Sequence, residues 1–166
     1  MHRSLFPGPA LTTGSRMTES LEGRGRYEIS TETSRVDVDA VHAYLSRSYW
    51  AEGIPRAVVA QAVAGSLCFS LFDRGAQIGF ARVITDRATF AYLCDVYVIE
   101  ASRGQGLGKW LIEEATKHPA VAGVRRFVLV TRDAQRLYEP FSFKTPVDSG
   151  RYMEIFRPTV YKQAAD

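Results

Sequence analysis

Three glycines and two cations stand close together in Arg103-Gly104-Gln105-Gly106-Leu107-Gly108-Lys109, directly after the apolar run Val96-Tyr97-Val98-Ile99. Glycine accepts positive φ and lets a ligand come near the main chain. Where such a turn opens a helix, the first amides lack intrahelical acceptors and the dipole end is positive, which favours an anion. Arg103 and Lys109 add positive charge beside it. The expected chemistry is phosphate binding, most naturally of a pyrophosphate. Two common phosphate loops do not fit. A Walker loop needs Ser or Thr after its Lys and a glycine at its head, whereas Trp110 follows Lys109 and Arg103 holds the leading place. The dinucleotide fingerprint needs a glycine three residues after Gly106, and that residue is Lys109.

Other side chains that could do chemistry are fewer. Asp95 is the nearest carboxylate on the strand leading into the turn, on the opposite face from Val96 and Val98 by strand alternation. It could accept a proton or anchor a substrate, and the plainer reading is a charge pair with a cation such as Arg82. Glu100 is expected to be solvated. Cys68 and Cys94 lie in SLCFSLF and AYLCDVYV and read as buried free thiols, with no neighbouring His to activate them. His2, His42 and His118 are scattered and give no zinc-ligand spacing. His42 interrupts an apolar helical stripe and reads as a satisfied core histidine.

These residues need a scaffold. RYEISTETS reads as a strand. VDVDAVHAYLSRS follows as a helix capped by Asp37 or Asp39, and PRAVVAQAVAGS as a second helix between Pro55 and Gly65. LCFSLFD and QIGFARVITD are strands joined at Asp73-Arg74-Gly75, a hairpin signal. TFAYLCDVYVI is a third, longer strand, and the glycine turn then opens a helix over about 106–117. RRFVLVT is a strand and DAQRLYEPF a short helix with Asp133 available as cap. RYMEIFRP is expected as a closing strand, with Met153, Ile155 and Phe156 in the core. The order predicts an α/β (α+β) domain with one mixed, mostly antiparallel sheet flanked by helices.

Composition bounds the rest. The 166 residues carry a formal charge of +3 and are 46% hydrophobic and 23% charged, as one ordinary globular domain would be. Residues 1–26 hold Arg3, Arg16, Arg24 and Arg26 against Glu19 and Glu22, which leaves the body near neutrality. That balance argues against nucleic acid and against a basic membrane-surface protein. No apolar run approaches the roughly 18 residues of a membrane span. Residues 1–26, rich in Gly, Ser, Thr, Pro and Arg, are expected to be a disordered leader, with Met17 an alternative start. Residues 27–161 would form the domain and 162–166 a tail. No secretory signal is evident, so a cytoplasmic protein is expected.

The spacing Arg103-x-x-Gly106-x-Gly108 after an apolar strand resembles the pyrophosphate loop of the GNAT N-acetyltransferase superfamily. Ala134-Gln-Arg-Leu137-Tyr138-Glu-Pro-Phe-Ser142-Phe143 is similar to that family's Ala-x-x-Phe-Tyr-x-x-x-Gly-Phe, with Ser142 in place of the usual Gly and Pro140 within the turn. The likeness runs from about Tyr27 to Pro158 in element order and reaches motif level in these two segments alone.

The resemblance implies acetyl-CoA as donor, held by Arg103, Gly104, Gln105, Gly106, Leu107, Gly108 and Lys109. Main-chain contacts from Tyr97, Val98 and Ile99 would hold the pantetheine, and an amide near Val98 would face the developing oxyanion. Tyr138 would protonate the departing thiolate, as a phenol protonated at neutral pH can. Tyr92 falls where many relatives carry a Glu base. Tyr49 and Trp50 would wall the amine side together with the loop TPVDSGRY, or simply pack. The acceptor is a small-molecule or peptide amine, and a homodimer is expected because relatives often form one. A CoA-binding module without activity, or an enzyme using a longer acyl-CoA or a protein amine, would share these motifs.

Overall fold

The computed structural model describes residues 20–162. Six strands form one sheet in sequence order: β1 (Ser20–Arg24), β2 (Tyr27–Ser30), β3 (Leu67–Asp73), β4 (Ala76–Thr85), β5 (Phe90–Val98) and β6 (Arg126–Leu129). The first five pair antiparallel, and β6 joins β5 in parallel. Parallel neighbours need a long crossover, here supplied by α3 (Leu107–Lys117). Helices α1 (Val38–Leu45) and α2 (Arg56–Ala64) lie between β2 and β3, and α4 (Gln135–Tyr138) follows β6.

Local chemistry sets these boundaries. Asp37 caps α1 by accepting from the Ala40 amide at 2.9 Å. Pro55 and Gly65 bound α2. Arg74 and Gly75, both at positive φ, make the tight turn between β3 and β4, with Asp73 opposite Ala76. His42 Nε2 meets the Ile54 carbonyl at 3.1 Å, the satisfied histidine its sequence context suggested.

Each side of the sheet has its own core. Phe69, Leu71, Ala81, Val83, Ala91 and Leu93 pack against Trp110, Leu111, Ile112 and Ala115 of α3. On the other side Cys68, Phe80 and Tyr97 pack against Val41, Leu45, Val59 and Val63 of α1 and α2. Trp110 is almost wholly buried, and its truncation to Ala would cost about 3–5 kcal/mol.

Three expectations change. Ser20–Arg24, placed in the leader by composition, is a strand because it pairs with β2, Leu21 opposite Ile29; the rest of the leader and residues 163–166 lie outside the described residues. RYMEIFRP forms no strand: after Tyr152 it runs without ladder partners, and Met153, Ile155 and Phe156 are exposed rather than core. Asp133 pairs with Arg132 and does not cap α4; the turn before that helix is held by Thr131, whose Oγ1 accepts from the Ala134 amide at 3.1 Å.

Candidate active site

β5 and β6 stay paired from Phe90/Arg126 to Leu93/Leu129 and then part. Past Leu93, β5 continues to Val98 with β4 on one side and, among the described residues, no strand on the other. The Ile99 amide donates to the Ile78 carbonyl at 2.9 Å, so Ile99 faces β4. Alternation then turns the main chain of Val98 outward, into the gap, and its carbonyl accepts from Arg103 Nε at 3.0 Å. Of the three main-chain positions expected to hold a pantetheine, Val98 is the one whose amide faces the gap.

The glycine turn stands at the end of β5. Gly104 has φ +78° and Gly106 φ +75°, and a Cβ at either would meet open space. Backbone conformation, rather than crowding by protein atoms, thus demands glycine at both. Gly106 is the left-handed residue from which α3 starts. Trp110 is the first residue of the helix whose amide finds an acceptor, the Gly106 carbonyl at 3.0 Å. Among the described residues, the amides of 104–109 donate to no protein acceptor. Six consecutive free donors at the positive end of a helix make a cradle for a doubly charged phosphate ester. The residues present therefore fit the pyrophosphate of a coenzyme A.

The side chains around the turn are tethered. Gln105 accepts from the Tyr27 hydroxyl at 2.7 Å and donates to the Ser102 carbonyl at 3.3 Å. Arg103 folds back on Val98, on the Tyr44 hydroxyl at 2.8 Å and on Glu100 at 3.2 Å. It clasps the turn to β5 and α1 while its charge stays near the cradle. Lys109 is exposed on the first turn of α3. Glu100 is exposed, as expected, and pairs with Arg47 and Arg103.

Asp95 sits in a bulge. Phe80 faces Tyr97 and Arg82 faces Cys94, so β5 carries an extra residue here, and Asp95 takes φ +54°. Both its oxygens are engaged: Oδ2 accepts from Arg82 Nε at 2.7 Å and Oδ1 from Trp50 Nε1 at 3.2 Å. The pair is largely buried, the side chains 15% and 10% exposed. The charge pair anticipated from the sequence is thus present.

The loop after α1 crosses the gap. Trp50 is fastened to β5 through Asp95, and the Arg132 guanidinium, just past β6, lies 4.0 Å above the Tyr49 ring. Trp50 packs edge-on to Tyr49 at 5.0 Å. Tyr138 of α4 is half-buried against Phe143, and its phenol titrates above the usual range because of burial, with a smaller effect of Tyr49. Tyr92 is likewise raised, first by burial and then by Cys94 and Asp95, with Glu154 among the other charges that reach it. Burial pushes the Cys68 and Cys94 thiols up to about 12.

The structure thus brings Tyr49, Trp50, Asp95, Tyr92 and Tyr138 around the parting of β5 and β6, with Val98 and the turn 103–109 at one end. Sequence reasoning missed Tyr27, Tyr44 and Arg132. Each lies far along the chain from the residue it serves, and no local spacing marks it. Among the described residues no group of His, Cys, Asp or Glu is placed to hold a metal ion, and no helix is long and apolar enough to cross a membrane.

Residues 64–145 match the family model described as an acetyltransferase (GNAT) domain. A candidate acetyltransferase of Gibberella zeae is 32% identical over 138 residues, covering 69% of this chain and 77% of that protein. The crystal structure of a candidate GNAT acetyltransferase from Xanthomonas campestris superposes with a TM-score of 0.79 at 43% identity, covering 81% of this chain and 96% of that one. A candidate acetyltransferase of Clostridium acetobutylicum, solved with acetyl-CoA, shares the fold at a TM-score of 0.57 and 14% identity, covering 78% of this chain and 94% of that one.

Proposed function

Because the chain belongs to the GNAT acetyltransferase family, we propose that it transfers an acetyl group from acetyl-CoA to a primary amine by direct attack in a ternary complex. The observation that carries this reading is the run of unpartnered amides over 104–109 at the mouth of the gap between β5 and β6. A cradle of amides suits a pyrophosphate, and the open edge of β5 beyond Leu93 suits an amide-bearing arm laid beside it as a further strand would be.

Acetyl-CoA supplies the activated acyl group as a thioester. The outward amide of Val98 is set to donate to an oxygen on which negative charge develops. As the N–C bond forms and the C–S bond breaks, Tyr138, which keeps its proton at neutral pH, can give it to the departing thiolate, while the proton shed by the nitrogen passes to solvent and solvent restores the phenol. Asp95, with both oxygens engaged, acts in this reading as an anchor that fixes Trp50 and Arg82. An acyl-enzyme is disfavoured, since both cysteines are kept protonated by burial and a thiolate is what attacks.

Calorimetric titration with coenzyme A, followed by thiol release from acetyl-CoA with an amine panel, tests the reading. Coenzyme A should bind, and Gly106→Asp should weaken it at least tenfold by setting a carboxylate among the amides. Binding without turnover on any amine would make the chain a coenzyme A-binding module. Equal binding by Gly106→Asp would remove the cradle from the site.

A further inference from the structure

Helices α1 and α2 cover their side of the sheet only as far as Cys68, Phe80 and Tyr97. Beyond them the same side carries Ile84, Phe90, Tyr92 and Val128. Their direction follows from alternation, because Val83, Ala91, Leu93, Phe127 and Leu129 pack toward α3. Ile84 lies opposite Tyr92, and Tyr92 opposite Val128, so the side chains form one continuous floor. Ile84 is 41% exposed and Phe90 42%. The floor begins where the Asp95–Trp50 contact ends, since Cys94 is the register partner of Arg82.

The charges around this floor are arranged in a particular way. Arg82 and Asp95 neutralise each other at its head. Arg126 and Arg132 are turned onto the rings of Tyr152 and Tyr49. Ile84, Phe90, Tyr92 and Val128 carry no charge, and the surface they form runs up to the parting of β5 and β6 after Leu93, so it complements an apolar body whose amino group reaches that parting.

We propose that the acceptor is a primary amine carried on an apolar or aromatic body, which lies on Ile84, Phe90 and Tyr92 with its amino group toward Asp95; this rests on the acetyl-transfer reading. Contact between such a body and the floor removes apolar surface from water on both sides. An acceptor with several charges or hydroxyls would set them against these apolar side chains, at a desolvation cost.

The test compares kcat/KM with acetyl-CoA for phenethylamine and hexylamine against spermidine and glucosamine 6-phosphate. The apolar amines should lead by at least tenfold. Ile84→Asp and Phe90→Ser, both at exposed positions, should raise the KM of phenethylamine at least fivefold, and calorimetry should show coenzyme A affinity within twofold of the parent. Direct titration of phenethylamine onto the coenzyme A complex should show the same loss. A preference for spermidine or the amino sugar, or a phenethylamine KM indifferent to both substitutions, overturns this proposal and leaves acetyl transfer standing. Failure of coenzyme A to bind overturns the acetyl-transfer reading and this proposal with it. A parent dimer in light scattering that Ile84→Asp converts to monomers would give the floor to a second copy and overturn the proposal on that ground.

Discussion

The hydroxyl of Tyr27 on β2 donates to Oε1 of Gln105 at 2.7 Å, so the second strand of the sheet holds the middle side chain of the glycine turn. With Gln105 Nε2 bonded to the Ser102 carbonyl, both ends of that side chain are fixed. The amides of 104–109 are thereby held in place before any ligand arrives, and preorganisation of this kind shows as affinity.

Tyr27→Phe should therefore weaken coenzyme A by about fivefold, the equivalent of one hydrogen bond worth about 1 kcal/mol. Calorimetry on the two proteins measures it. An unchanged dissociation constant would mean that the turn keeps its shape without the tether.

Tyr138→Phe should lower kcat with a good amine by tenfold or more and leave acetyl-CoA affinity within about twofold. The hydroxyl is the sole atom lost, and the ring keeps its edge-on contact with Phe143. Because burial raises the phenol above its ordinary value of about 10, the parent should show no loss of kcat from this group up to that pH. A kcat equal to the parent's would take Tyr138 out of the reaction.

The sequence made some of this visible and hid the rest for identifiable reasons. The turn 103–109 could be read because glycine spacing at a strand-to-helix junction is local information. The Arg82–Asp95 pair could be anticipated because charges on neighbouring strands of one face must find each other. The tilt of Arg103 toward Tyr44, and the contact of Arg132 with Tyr49, could not, since both depend on where α1 and the loop after it land on the sheet. RYMEIFRP misled for a related reason. It is rich in aromatic and aliphatic residues, as strands are, but a strand also needs a free edge in register, and its main chain after Tyr152 meets none here. β1 escaped notice for the opposite cause: its composition is polar, and pairing with β2 overrides it.

Acid should loosen the turn between β4 and β5. Asp86 accepts from the Thr89 hydroxyl and from the amides of Phe90, Thr89 and Ala88, and these bonds hold its carboxyl well below the usual range. A depressed folded-state pKa contributes stability that is fully present above the unfolded value of about 3.9 and is lost as pH falls through the folded value. The difference in urea midpoint between the parent and Asp86→Ala should thus be full at pH 6 and should shrink progressively below about pH 4. A difference independent of pH would mean that the turn does not depend on the ionised carboxylate.

Ser142 closes the turn after α4 at φ +70° and ψ +11°, a left-handed conformation, and its amide donates to the Glu139 carbonyl at 3.0 Å. This is the position where the resemblance leads one to expect glycine. A side chain there costs about 1–2 kcal/mol in backbone strain, whereas glycine gives back about 0.5–1 kcal/mol through the freedom of the unfolded chain. Ser142→Gly should therefore stabilise the protein by up to about 1 kcal/mol, visible as a rise in Tm of about 2–4 °C for a chain of this size. The side chain is exposed and, among the described residues, makes no hydrogen bond that the substitution would remove. Since the turn directly follows Tyr138, the same variant separates strain from use. If Tm rises and kcat holds, the strain is incidental; a rise in Tm with a fall in kcat would mean that the strained turn sets the angle at which Tyr138 enters the cleft.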